Sequence, residues 1–158
     1  RYNQYFGIKR TQQRLNNLRT ELHNPNRDQD KPMGGILWHT QGSGKTLTMV
    51  WLAKWILTHW AELNPRVLIV TDRDELDEQI EKTFTGVDEN IVRTKSGKDL
   101  INRLNVYDDS LICSLVHKFG RRGGEATEND YDKYIEELKA SLPANFETKG
   151  NLVVFVIF

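Results

Sequence analysis

The chain has one cysteine, Cys113, in 158 residues. A single thiol excludes an internal disulfide, and its place in an apolar run points to a reducing, cytoplasmic setting. No apolar stretch approaches the roughly 20 residues needed to span a bilayer, and no secretory leader opens the sequence, so no membrane partner is expected. Neither sign of charge is in excess: 22 basic and 22 acidic residues leave a formal net charge of zero. No global basic field announces nucleic acid, although a local groove can still be basic. Repeats and low-complexity tracts are also lacking, which excludes solenoids and disordered arrays. The four histidines, His23, His39, His59 and His117, are scattered, and no pair has zinc-ligand spacing with a cysteine or acid. No Ser-His-Asp constellation follows from residue order either.

What is present is an ordinary globular composition, 38% hydrophobic and 28% charged, of a length that suits one domain with its own core. The sequence opens at Arg1 and stops inside an apolar run, so residues 1–158 are expected to be one domain of a longer protein.

One stretch organises the rest. Gly34-Gly35-Ile36-Leu37-Trp38-His39 leads into Thr40-Gln41-Gly42-Ser43-Gly44-Lys45-Thr46, and a long apolar segment follows. An apolar run, a glycine-rich turn and Lys-Thr at a helix start form a phosphate-cradling loop between strand and helix. Gly42 and Gly44 let the backbone curl and aim N–H groups at an anion. The helix start adds its positive dipole end. Lys45 is placed to reach the β/γ-phosphates and the Thr46 hydroxyl to ligate Mg²⁺. The general pattern wants glycine at position 39, and His39 stands there instead. A glycine-rich helix start with a merely structural lysine is the bland alternative.

Apolar spacing predicts the elements around it. Ile8, Leu15, Leu18 and Leu22 share one face of a helix over residues 1–23. Residues 23–32 form a polar loop, and a first strand is expected at about 35–39. Residues 46–60 are apolar nearly all round, predicting a helix buried on most sides. The four tryptophans, Trp38, Trp51, Trp55 and Trp60, are expected to pack the core and its rim. Arg66–Thr71 reads as a buried parallel strand, and Leu76, Ile80 and Phe84 mark the next helix. A weak strand at 90–94 precedes a helix capped by Ser96 and carrying Leu100, Ile101 and Leu104. Residues 110–115 and 151–158 are further apolar strands. Between them come a glycine-rich, charged stretch at 121–129 and a helix at 130–142. Alternating strands and helices predict an α/β fold, a parallel sheet with helices on both faces.

Other residues have chemistry to offer. The Gln4 amide matches the adenine N6/N7 edge as donor and acceptor, although a helix-start glutamine among core aromatics (Tyr2, Tyr5, Phe6) is commonplace. Thr71 and Arg73 at one strand end, and Ser114, His117 and Lys118 at another, are candidate contacts to a nucleic-acid phosphate. Solvated turns at both places are equally compatible with the sequence.

Taken together, Trp38-His39-Thr40-Gln41-Gly42-Ser43-Gly44-Lys45, the opening Arg1-Tyr2-Asn3-Gln4-Tyr5-Phe6, and the stretches Val67–Gln79 and Leu111–Phe119 resemble the R (motor) subunit of type I restriction–modification enzymes. These are superfamily 2 helicase-like proteins, and the His-Thr-Gln before the glycines is characteristic of them. The resemblance implies the first RecA-like domain of a motor that binds ATP and Mg²⁺, moves double-stranded DNA and cuts it with a separate nuclease domain. It implies specificity and methyltransferase subunits as partners. It implies Gln4 at the adenine, Thr40, Gln41, Gly42, Ser43, Gly44, Lys45 and Thr46 at the phosphates, with Lys45 catalytic, and DNA beside Thr71, Arg73, Ser114, His117 and Lys118. Such motors continue their last strand with Asp-Glu, where this chain has Ile157-Phe158; the chain alone is therefore expected not to turn over ATP. Another superfamily 2 helicase, a P-loop kinase or ATPase unrelated to DNA, and a non-enzymatic module that kept the loop for shape are the competing expectations.

Overall fold

The computed structural model describes residues 2–22, 24–26, 28, 34–40, 42–71, 74–105, 109–115 and 151–157. The chain divides into two compact units, Arg1–Leu52 and Ala53–Phe158.

The first unit holds helix α1 (Tyr2–Leu22), the glycine-rich turn and the opening of helix α2 (Lys45–His59). In α1 Leu18 is buried, while Ile8 and Leu15 are half-buried. The aromatics of its first turns lie outward: Tyr2 is 87% exposed, Tyr5 57% and Phe6 58%. They are therefore not core aromatics. Tyr5 and Phe6 meet edge to face at 5.5 Å, and Lys9 Nζ lies 5.9 Å from the Tyr5 ring centre.

The strand expected at 35–39 does not form; residues 34–40 carry no regular structure. A strand exists only through a partner's ladder, and this segment pairs with none among the described residues. Ile36 and Trp38 are accordingly among the most exposed apolar residues of the chain.

Helix α2 forms as expected, but one stripe of it, Leu47 and Trp51, faces solvent. The two are four residues apart and so share a side. Thr48, Met49, Val50, Leu52, Ala53 and Ile56 are buried. Of the tryptophans, Trp60 is buried and Trp55 half-buried, whereas Trp38 and Trp51 are exposed. Thus two of the four depart from the expected core and rim.

The second unit is a four-stranded parallel sheet in the order β2-β3-β1-β4. Strand β1 (Pro65–Thr71) is flanked by β3 (Leu111–Leu115) and β4 (Asn151–Ile157). Strand β2 (Val92–Arg93) is a two-residue piece on the far side of β3. Pro65 opens β1, where its missing N–H costs the ladder nothing. Helix α3 (Asp74–Thr85) contacts β1 and β3, with Ile80 and Phe84 fully buried. Helix α4 (Gly97–Asn105) sets Leu100 and Leu104 against Leu68 and Ile112, with Val70 and Leu152 alongside. The crossover β1-α3-β2 runs one way across the sheet and β2-α4-β3 returns, so right-handed connections place α3 and α4 on opposite faces. Burial agrees: Val67 and Ile69 on one face of β1 and Leu68 on the other are all buried.

Ser96 caps α4 as expected: Asp99 N–H donates to Ser96 Oγ at 3.2 Å, and the Asp99 carboxylate accepts from Lys95 N–H at 2.8 Å. The first bond satisfies a donor that a helix start leaves open, and the second ties the residue before the cap to the first turn. The helix expected at 130–142 and the charged stretch at 121–129 lie outside the described residues.

Candidate functional site: a phosphate loop at the start of α2

The two glycines of the turn adopt left-handed backbone, φ +72° at Gly42 and +84° at Gly44. A side chain is costly in that region. Position 44 is also closed sterically, since a Cβ there would meet Gln4 Nε2. The Gly44 carbonyl gathers three donors: Thr48 N–H at 3.0 Å, Thr48 Oγ1 at 3.1 Å and Gln4 Nε2 at 3.4 Å. Its peptide is thereby fixed at the mouth of α2.

Thr48 N–H to Gly44 O is the first bond of the helical ladder. The N–H groups of Lys45, Thr46 and Leu47 precede it and have no carbonyl four residues back within the helix. They point out of the helix start, with the positive end of the dipole behind them. Lys45 and Thr46, both half-buried, are the first two residues of α2. Backbone donors, an ammonium and a hydroxyl gathered at one helix start suit a polyphosphate with its divalent ion. The residues present fit the group.

Two of the candidate side chains hold the loop itself. Ser43 is 5% exposed, and its hydroxyl donates to Thr40 O at 2.7 Å. Ser43 N–H bonds the same carbonyl at 3.2 Å. The hydroxyl is thus spent on the turn itself, which leaves the backbone as what Ser43 offers an anion. Gln4, expected at an adenine, has its amide nitrogen on the loop backbone. His39, the residue that breaks the general pattern, sits 3.2 Å from Ser43 Oγ through Nδ1.

The other candidates belong to the second unit. Thr71 ends β1 fully buried, and its Oγ1 has no hydrogen-bond partner among the described residues. Ser114 in β3 is 1% exposed and accepts from Thr94 Oγ1 at 2.7 Å. As placed, neither hydroxyl reaches the surface, because both side chains are enclosed by the sheet and what covers it. Gln41, Arg73, His117 and Lys118 lie outside the described residues.

Arg66 is the residue whose importance the sequence conceals. It is 2% exposed, yet its fork reaches three carbonyls: Nη1 to Leu104 O at 2.7 Å, Nη2 to Arg103 O at 2.8 Å and Nε to Asp109 O at 2.9 Å. Two of these are at the end of α4, where carbonyls lack helical partners and the dipole favours a cation. Beside it Arg103 pairs with Asp109 at 2.8 Å and Asp99 at 3.1 Å. The Asp109 hydrogen bond, against partial desolvation and with help from Asp99, pushes the Arg103 guanidinium above its ordinary value, so it stays charged. The one signal in the sequence was a cation inside a buried apolar run, which must find partners.

A parallel α/β sheet joined in sequence to a glycine loop of this geometry defines a P-loop nucleotide-binding domain of the RecA-like kind. The profile of the SWI2/SNF2 ATPase family matches residues 3–156, and the chain belongs to that family. Among its relatives, a Methanocaldococcus jannaschii protein named as the MjaIXP type I restriction enzyme endonuclease subunit is 34% identical over 122 residues, covering 77% of this chain and 11% of that protein. The type I restriction enzyme HindI endonuclease subunit of Haemophilus influenzae is 33% identical over 102 residues, 65% of this chain and 8% of its own. The SauCOLORF180P endonuclease subunit of Staphylococcus aureus is 30% identical over 124 residues, 78% and 12% respectively. The chain therefore spans about a tenth of the length of these relatives. No solved structure gives a significant match. The likeness to type I restriction subunits, first seen in the loop, is thus carried by most of the chain, and membership of an ATPase family sets a kinase aside. Among the described residues no helix is long and apolar enough to cross a membrane.

Proposed function

We propose that residues 1–158 are the first RecA-like motor domain of a type I restriction enzyme R subunit, an ATP-dependent hydrolase that moves double-stranded DNA before cutting it. The observation that carries this is the left-handed pair Gly42 and Gly44 opening directly into Lys45-Thr46 at the start of α2. Under this proposal the backbone of residues 42–46 and the Lys45 ammonium hold the ATP phosphates, and Thr46 holds Mg²⁺. The metal, when bound, neutralises phosphate charge during transfer. Gln4 ties α1 to the loop beside the nucleotide, in reach of the adenine role its resemblance implies. DNA runs past the strand ends near Arg73, His117 and Lys118, with Thr71 and Ser114 shaping that edge from beneath. Specificity and methyltransferase subunits complete a cytoplasmic assembly. Another superfamily 2 DNA helicase is the nearest alternative.

Ile157, paired with Thr71 in β4, stands where the resemblance places the Mg²⁺-orienting aspartate. The 158-residue chain is therefore proposed to bind nucleotide without turnover. Calorimetric titration with Mg·ADP tests this: the expected result is saturable binding that Lys45→Ala removes. Absence of binding, or steady-state hydrolysis by this chain that Lys45→Ala removes, contradicts the proposal.

A further inference from the structure

The residue that interrupts the general loop pattern is wired into the loop, and its wiring fixes its tautomer. Ser43 Oγ has one proton and two neighbours: Thr40 O at 2.7 Å and His39 Nδ1 at 3.2 Å. The proton belongs on the bond to the carbonyl, which can only accept. Ser43 Oγ then accepts from His39, so Nδ1 carries the ring hydrogen. Nε2 is left as a lone-pair atom, buried and without a hydrogen-bond partner among the described residues. It faces Gly7 of α1, where an added Cβ would lie 3.2 Å from Nε2 and 3.4 Å from Leu37 Cδ1. A methyl group there requires its neighbours to give by a few tenths of an ångström. Three residues earlier on α1, Gln4 holds Gly44. Positions 4 and 7 share a helix side, so α1 touches the loop at both ends of its turn.

We propose that His39 is a positioning residue of the phosphate loop. Its Nδ1–H holds Ser43 and so sets the turn that contains the left-handed Gly42 and leads into Gly44, and Gly7 is small to give the ring its seat. A glycine at position 39 leaves the turn's entry free; the imidazole tethers it. Pre-ordering the loop removes part of the entropy that binding a polyphosphate otherwise costs. The inference rests on the nucleotide-binding role proposed for the loop, but the tautomer can be read without any nucleotide.

Long-range ¹H–¹⁵N spectra of the 158-residue chain, with His39 labelled, are the first test. The expected signature is a protonated Nδ1 and a pyridine-like Nε2, shifting toward the ordinary solution tautomer mixture in Ser43→Ala. A ring protonated on Nε2 in the wild type, or a tautomer indifferent to Ser43→Ala, overturns the proposal whether or not nucleotide binds.

The second test is Mg·ADP affinity across a series. His39→Asn places an amide nitrogen where Nδ1 was and is expected to bind within about twofold of wild type, since the hydrogen bond is kept. His39→Gln and His39→Ala lose it and are expected to bind roughly fivefold to tenfold more weakly, the loss of one neutral hydrogen bond. His39→Gly, which completes the general pattern, is expected to weaken binding as well. Equal affinity for the Asn and Ala variants, or tighter binding by the Gly variant, overturns the proposal. If the wild type binds no Mg·ADP, the nucleotide-binding role fails and the proposed consequence for affinity fails with it, while the tautomer result still decides the hydrogen bonding.

Discussion

Arg66 places a guanidinium within a buried strand and is tolerated because the fork finds three carbonyls 37 to 43 residues further along. Removing it takes this donor from Asp109 O and from the two carbonyls at the end of α4. Arg66→Met is expected to lower stability by about 3 kcal/mol or more, seen as a reduced urea midpoint with an unchanged slope. Arg66→Lys should recover only part of this, since an ammonium cannot reproduce the fork. At Gly44 two penalties coincide, a left-handed φ of +84° and the Gln4 amide in the space a Cβ needs. Gly44→Ala is expected to weaken Mg·ADP binding by well over about tenfold, and adding Gln4→Ala should relieve the clash but leave binding roughly tenfold weaker than wild type, because the strain of about 1–2 kcal/mol in the backbone remains. A restored affinity in the double variant would mean the clash alone mattered. These residues differ in how legible they were. The demand for glycine at 42 and 44 is local and could be read from the motif. The partners of Arg66, the seat of His39 on Gly7 and the enclosure of Thr71 and Ser114 depend on contacts distant in sequence, which no window of residues reveals.

At the scale of elements, local signals decided well for helices and for strands that find a neighbour in the sheet. Helices α1, α3 and α4 lie where apolar spacing and the Ser96 cap put them. Strands β1, β3 and β4 follow their continuous apolar runs. The strand at 35–39 failed for the opposite reason: its composition suits a ladder, but a ladder needs a neighbour. Apolarity all round α2 likewise overstated its burial, since Leu47 and Trp51 are exposed. The contrast is measurable by amide hydrogen exchange. The central strand β1, paired on both sides, should exchange slowly at Val67–Val70, while Ile36–Trp38 should exchange near the unprotected rate. Slow exchange at 36–38 would show that the segment pairs after all.

For the whole molecule, balanced charge and a lone thiol said little about activity. The loop and the family carry that weight. The chain is an α/β domain of the SWI2/SNF2 ATPase family, akin over most of its length to endonuclease subunits of type I restriction enzymes. Under the proposed function its loop powers movement on DNA. The most direct measurement is ATP hydrolysis by the full-length subunit, with and without double-stranded DNA, wild type beside Lys45→Ala. DNA is expected to raise turnover, and Lys45→Ala to abolish it under both conditions. Turnover indifferent both to DNA and to Lys45 would contradict the proposed function.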